Sequence, residues 1–286
     1  MFQCRRALGI TGVFVLLLLS LAGVAHAQSQ SGEYTLGLPK SDPTQERLRM
    51  TLPKGRVLVQ GYIAMSLSSD LVLKPVSLSP DVWYGFSDDL SIGLTHSSVG
   101  TGGVYGGAGT SLCLTGEDNG CASFYNNVAL LGRYNLIDTG LALAVQGGLV
   151  VNNTDPFYFG IQVGAVGRWE YKPIAIVFQP SIYVGLTERE GGVGTAGNTE
   201  VITLPVAAMY DVSPELAVGL QTGVNLGLDD IASQWQLFVS LGGRYVVMPG
   251  VWAELAFSLP VVATGADPGP GAFDTRVLTL GGGTVF

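Results

Sequence analysis

One short cluster in the sequence contains residue types that could carry out nucleophilic hydrolysis. His96 and Ser98 lie two residues apart, in the spacing His-x-Ser-x-Gly that ends at Gly100. A histidine beside a serine can act as the general base that activates the hydroxyl, and a third polar group can then orient the imidazole. Asn126, at the start of a later apolar segment, could take that third role. A histidine among serines at the end of a strand is also common without any activity, and both interpretations stay open.

A second set of residues could control the passage of ions. Arg133, Arg168 and Arg244 each directly precede an aromatic residue, so they occupy equivalent positions in three separate segments. Asp81 and Glu254 are carboxylates that could balance them. Charged side chains gathered at one depth of a pore bias the ions that permeate it. The alternative is that each arginine only braces neighbouring strands.

A pair of cysteines indicates a structural bridge. Cys113 and Cys121 lie in one Gly-rich stretch, and an even pair in an oxidising compartment predicts a disulfide. The loop that this bridge closes is short, so we expect a stabilisation of roughly 2–3 kcal/mol at most.

Twelve alternating segments supply the elements that would position these residues. From Arg56 onward, apolar residues alternate with polar or small ones in runs of about ten, which is typical of strands with one apolar face. The runs span 56–67, 73–84, 90–98, 124–134, 141–151, 157–169, 174–187, 201–210, 216–226, 235–245, 251–259 and 275–286. Short and longer connections alternate between them. The pattern therefore predicts an all-β fold, an up-and-down antiparallel β-barrel.

Every second run ends on an aromatic residue, and this residue lies on the apolar face of its strand. This aromatic girdle consists of Tyr84, Tyr134, Trp169, Tyr210, Tyr245 and Phe286. Aromatic rings favour the membrane–water interface, because one part of the ring system is apolar and another tolerates water. We therefore expect the apolar faces to point outward toward lipid. The mild polar faces, with side chains such as Gln146 and Gln221, would then line a lumen that also receives the three arginines.

The last strand carries a family resemblance. Thr279, Gly281 and the terminal Phe286 resemble the C-terminal signal of bacterial outer-membrane β-barrels, although Thr284 stands where that family usually has an aromatic residue. The resemblance implies an integral protein of a Gram-negative outer membrane with both termini in the periplasm. It also implies contact with outer-membrane lipid and lipopolysaccharide, and recognition of the C-terminal strand by the barrel-assembly machinery.

The His96 cluster carries a resemblance of its own. Its spacing is similar to the His-Asp-Ser-Asn-Gly motif of outer-membrane phospholipase A, with Ser97 and Val99 in place of the Asp and Asn. The resemblance implies that His96 is the base and Ser98 the nucleophile. The strand parity of both residues predicts that they face lipid.

The beginning of the chain predicts export. Arg5 and Arg6 precede an apolar core over residues 10–24, and Ala25-His26-Ala27 is a small-x-small cleavage site, so residues 1–27 form a signal peptide. The mature chain then keeps His96, Cys113 and Cys121, which are too few for a His/Cys metal site. We expect no metal and no cofactor.

Composition narrows the class of protein further. Hydrophobic residues make up 47% of the chain and charged residues 13%, with a formal net charge of −8. Such an acidic chain argues against nucleic-acid binding. Beyond Ala27 no apolar stretch approaches the ~18 residues that a membrane helix needs. A closed β-barrel is the other structure that satisfies its backbone in lipid.

Three functions follow from this architecture. Residues 28–55 are polar and rich in proline, and we interpret them as a periplasmic lead or a partial plug ahead of a barrel over 56–286. The preferred function is a passive channel or transporter for small solutes. The first alternative is a structural surface barrel with a plugged lumen. The second alternative is a lipid hydrolase that uses His96, Ser98 and Asn126.

Overall fold

A computed structural model describes most of the chain beyond the predicted signal peptide. The described residues are 34–35, 38–39, 49–68, 72–97, 108–121, 123–190, 197–266, 269–271 and 273–286. Within these ranges, no helix is long and apolar enough to cross a membrane.

In the described part of the chain, twelve antiparallel strands form one closed sheet. They are β1 Val57–Ser66, β2 Val76–Gly85, β3 Leu90–Thr95, β4 Val128–Asp138, β5 Leu141–Thr154, β6 Phe157–Tyr171, β7 Ile174–Phe178 with Ser181–Gly185, β8 Val201–Asp211, β9 Leu216–Gly227, β10 Trp235–Met248, β11 Val251–Thr264 and β12 Val277–Val285. Short pieces outside the barrel strands are Tyr34–Thr35 paired with Leu38–Pro39, the pair Leu112–Cys113, and a 3-10 turn at Glu117–Asn119. The predicted strand number and order are confirmed.

Pairing of the last strand with the first closes the barrel. β12 and β1 form an antiparallel ladder in which Thr279 lies opposite Ala64 and Gly283 lies opposite Gln60. The other strands pair with their neighbours in sequence, and Pro180 separates the two halves of β7, which both pair with β6 and β8. A proline lacks the N–H that the ladder needs, which explains the interruption. Because the first and last strands pair, neither of them is an edge of the sheet.

The faces of the barrel are reversed relative to a water-soluble protein. Leu220, Leu241 and Leu255 project from the outer surface and are 51%, 62% and 52% exposed. The inward face buries polar side chains such as Ser77 and Gln146. The apolar-out arrangement expected from the sequence is therefore the observed one.

The structure places the aromatic girdle at one rim. All six residues lie on the outer surface, and each is at least 36% exposed. Tyr84 is paired with Val57, Tyr210 with Ile174, and Tyr245 with Leu216, so these aromatics stand opposite the first residue of an adjacent strand. The short turns between strands lie at the same rim. A role at the membrane interface remains the prediction made above.

The wall beside β3 contains a feature that the sequence did not indicate. β3 ends at Thr95, earlier than predicted, and the pair Leu112–Cys113 continues the wall by pairing with Ser77 and Leu78 of β2. The predicted disulfide between Cys113 and Cys121 is present. It therefore fastens a loop segment that substitutes for the missing end of β3.

The reversed faces predict how charge affects folding into lipid. A charge on the lipid face costs ~2–4 kcal/mol at the membrane midplane and about 0–1 kcal/mol near the interface. We expect Leu220→Arg to destabilise folding into lipid vesicles strongly and its inward neighbour Gln221→Arg to fold almost normally, with Tyr210→Arg between them. Heat-modifiable gel mobility during reversible folding measures the difference. Equal damage from Leu220→Arg and Gln221→Arg would contradict the assignment of the two faces.

Candidate functional site

The three arginines singled out in the sequence lie on the inner face of the barrel. Arg133 on β4, Arg168 on β6 and Arg244 on β10 point inward and are all buried. Each lies next to the residue of the aromatic girdle on its own strand. Arg168 and Arg244 are close enough for their positive charges to repel each other. The arginines therefore surround the lumen near the short-turn rim.

Arg244 forms a buried ion pair with one of the two predicted carboxylates. It lies opposite Glu254 in the ladder between β10 and β11. Arg244 Nε donates to Glu254 Oε1 at 2.5 Å, and Nη2 contacts the same oxygen. The guanidinium lies over the ring of Trp252, 5.1 Å from its centroid. Breaking such a pair by removing one partner leaves an uncompensated buried charge, which is strongly destabilising.

Arg168 has a carboxylate partner that sequence reasoning missed. Arg168 Nη2 contacts Glu170 Oε1 on the same strand. Asp211 at the end of β8 adds further attraction to the arginine. Residues two apart on a strand share one face, and this spacing is the sequence signal that could have identified Glu170.

Arg133 is held without a carboxylate in contact. Its Nε and Nη2 atoms donate to Gln146 Oε1 at 3.2 and 2.7 Å, and Nη1 donates to the carbonyl oxygen of Met50 at 3.2 Å. The guanidinium also lies 4.4 Å from the ring centroid of Trp83, within the range of a cation–π contact. A neutral amide, a carbonyl and an aromatic ring therefore hold this cation.

The other predicted carboxylate, Asp81, accepts its hydrogen bonds from residues other than the three arginines. It attracts Arg133 electrostatically. Its hydrogen bonds, however, come from Gln60 Nε2 at 2.9 Å and from the backbone N–H groups of His96 and Ser97 at 2.7 and 3.1 Å, together with the Ser97 hydroxyl. Asp81 therefore anchors the chain that leaves β3.

Of the three predicted hydrolase residues, the structure describes His96 and Asn126. The expectation that His96 faces lipid is wrong: the strand ends at Thr95, and His96 turns into the interior and is buried. Its Nδ1 contacts the Pro80 carbonyl oxygen, and its Nε2 lies 3.0 Å from the Tyr125 hydroxyl. Ser98 lies outside the described residues.

Asn126 is also engaged elsewhere. Its Oδ1 accepts hydrogen bonds from the Ser123 hydroxyl at 2.6 Å and from the Thr154 N–H at 3.4 Å. The imidazole of His96 contacts the Pro80 carbonyl oxygen and the Tyr125 hydroxyl, whereas Asn126 was expected to orient it. Among the described residues, no group of three or more His, Cys, Asp or Glu side chains could hold a metal ion.

A segment ahead of β1 lies inside the short-turn end of the barrel. We call residues 49–54 the strap. The N–H groups of Met50 and Leu52 donate to Asn135 Oδ1 at 3.3 Å and to Ser91 Oγ at 2.8 Å. Both side chains are almost fully buried, and Leu52 packs in a cluster with Trp83. The strap therefore occupies part of the lumen at this mouth.

Further contacts bind the strap to the turns of the rim. Thr51 Oγ1 donates to the Asp88 carbonyl oxygen at 2.7 Å, and the N–H of Lys54 donates to Asp88 Oδ1 at 3.0 Å. Arg49 forms ion pairs with Asp89 at 3.5 Å and with Asp138 at 3.9 Å. This part of residues 28–55 thus makes contacts suited to a partial plug.

The opposite rim carries an ion pair between the ends of one long connection. Arg189 Nη1 lies 2.6 Å from Glu200 Oε1. The hydrogen bond from Arg189 holds the pKa of the Glu200 carboxyl below its usual range. Both residues lie outside the strands, so this pair belongs to the loop surface and is separate from the lumen.

Comparison with known proteins identifies the fold. No family model matches the chain, and no curated protein does. Among solved structures, the NanC porin is similar with a TM-score of 0.54 and 10% identity over 79% of this chain and 98% of that chain. The KdgM porin gives a TM-score of 0.48 with 8% identity over 80% of this chain and 99% of that chain. The chain therefore has the closed antiparallel barrel fold of an outer-membrane porin.

Proposed function

We propose that the protein is an integral outer-membrane β-barrel that passes small solutes through its lumen. The observation that carries the proposal is the reversed distribution of side chains. Leucines such as Leu220 and Leu241 are exposed outside, whereas Arg133, Arg168 and Arg244 are buried inside. A closed barrel satisfies its backbone in lipid, and a polar interior offers solutes hydrogen bonds in place of water.

The two rims support an orientation within the membrane. Short turns and the aromatic girdle share one rim, and outer-membrane barrels have short turns on the periplasmic side. β1 begins and β12 ends at this rim, so both termini of the barrel would lie in the periplasm. The longer connections would then meet lipopolysaccharide, and the strand that ends before Phe286 would be the one that the barrel-assembly machinery recognises.

The lumen favours small solutes of low net charge. The three arginines are offset by Glu170, Glu254 and Asp81, which attracts Arg133, so the charges of this zone balance. The strap narrows the lumen beside Arg133. A narrow constriction with balanced charges would admit small polar molecules.

Current recordings on the refolded protein in planar lipid bilayers test the channel function. We expect discrete conductance steps from the wild-type protein. A correctly folded barrel that stays silent at all voltages would contradict the channel and favour a second candidate, a structural barrel with a plugged lumen. The burial of Met50 and Leu52 within the barrel is the observation that favours this second candidate.

The charged zone predicts the ion selectivity of the channel. Replacing Arg133, Arg168 and Arg244 together by Gln leaves Glu170 and Glu254 without their partners, so we expect the reversal potential in a salt gradient to shift toward cation selectivity. Arg189→Gln in the outer loop is the matched control, since it removes one positive charge outside the lumen. An unchanged reversal potential in the triple variant would indicate that the arginines only brace neighbouring strands.

The strap predicts a change in conductance. The double variant Ser91→Ala with Asn135→Ala removes the acceptors for the Leu52 and Met50 N–H groups, so the strap should leave the mouth more often. We expect the open-channel conductance to rise by roughly twofold or more, because a pore's narrowest part controls conduction. Ser79→Ala, a lumen position that bonds Ser111 instead, is the control. Equal conductance in all three proteins would show that the strap does not limit the pore.

A further inference from the structure

A recess opens in the inner wall between β8 and β11, on the side of the lumen away from the strap. Small residues line it, among them Ala207, Gly219, Gly242 and Ala256, and the sulfur of Met209 lies against Gly219. Arg244 and Glu254 line the same cavity. The recess therefore presents a charged pair to the lumen among small side chains.

The charged lining keeps one donor and one acceptor without a partner. Arg244 and Glu254 bond each other through Arg244 Nε and Glu254 Oε1. Arg244 Nη1 and Glu254 Oε2 are both buried, and neither has a hydrogen-bond partner. Buried polar atoms are normally satisfied, and an unsatisfied one is destabilising. One cationic donor and one anionic acceptor therefore remain without a partner on two residues that line the same cavity.

We propose, on the basis of the channel function above, that this recess binds small α-amino acids in their zwitterionic form. The ligand carboxylate accepts a hydrogen bond from Arg244 Nη1, and the ligand ammonium donates one to Glu254 Oε2. An α-amino acid carries both groups on a single carbon, so it can satisfy both atoms while the Arg244–Glu254 pair stays intact. Met209 and Ala207 provide apolar contact for a small side chain.

The pairing of the two charges discriminates against simple ions. An isolated carboxylate is attracted by Arg244 but repelled by the neighbouring Glu254. An isolated ammonium is attracted by Glu254 but repelled by Arg244. Like charge placed close to a ligand disfavours binding. A neutral amide gains neither charge-assisted hydrogen bond, and such bonds are about twice as strong as neutral ones. A zwitterion can form a charge-assisted hydrogen bond with both Arg244 Nη1 and Glu254 Oε2.

Equilibrium binding of radiolabelled glycine to the refolded protein in detergent micelles tests the proposal. Glycolamide, a neutral isomer of glycine, is the matched control ligand, and acetate is the control for charge. We expect glycine to bind at least roughly tenfold more tightly than either, a ratio that two charge-assisted bonds can supply. Equal binding of glycine and glycolamide would overturn the proposal.

Variants assign the binding to the recess. Glu254→Gln should weaken glycine binding by roughly tenfold and strengthen acetate binding, because Arg244 loses its neutralising partner. Glu200→Gln makes the same chemical change on the outer loop and should match the wild type. The double variant Arg244→Gln with Glu254→Gln leaves no buried unpaired charge, so it can be tested even if the single variant fails to fold. We expect it to bind neither glycine nor acetate. Glycine binding that survives in the double variant would place the ligand elsewhere.

This binding assay separates the proposal from the channel function on which it rests. Conductance in bilayers without selective glycine binding would overturn the amino-acid site and leave the channel. Glycine binding to a barrel that never conducts would overturn the channel and leave the site.

Discussion

The pairing of β12 with β1 is the interaction on which the rest of the structure depends. Lipid cannot hydrogen-bond the backbone, so a sheet in a membrane is stable only when it has no open edge. The ladder from Val277 opposite Ser66 to Val285 opposite Leu58 removes that edge. Successive side chains of a strand point to opposite faces of the sheet, and closure makes one face the inside of the barrel and the other the outside. The arginines, the strap contacts and the recess all follow from positions that this alternation directs into the lumen.

Burial of charge is the cost that the lumen must offset. A guanidinium removed from water is strongly destabilising unless it finds partners. Arg244 and Arg168 each contact a carboxylate. Arg133 instead contacts Gln146, a carbonyl oxygen of the strap and the ring of Trp83. The strap is therefore both an obstruction and a ligand for a buried cation. The strap therefore both narrows the short-turn end of the barrel and holds the charge of Arg133 there.

The sequence predicted what depends on period-two alternation and failed where contacts are non-local. Strand number, the inward parity of Arg133, Arg168 and Arg244, and the cysteine pair were all readable, because each follows from spacing along one segment. The contact between Arg244 and Glu254 needed the register of β10 against β11. The segment Leu112–Cys113 and the inward turn of His96 depend on where β3 ends, and alternation does not fix strand ends. The strap's contacts with Ser91 and Asn135 join residues far apart in sequence, which no local pattern reveals.

Depth-dependent fluorescence quenching by brominated lipids tests the central claim that the apolar face meets lipid and the polar face lines a lumen. The chain has four tryptophans, and single-tryptophan variants with Phe at the other three positions isolate each one. Trp169 projects outward at the girdle, whereas Trp83 and Trp252 are buried inside. In vesicles, we expect strong quenching of Trp169 and weak quenching of Trp83 and Trp252. Stronger quenching of Trp252 than of Trp169 would contradict the account.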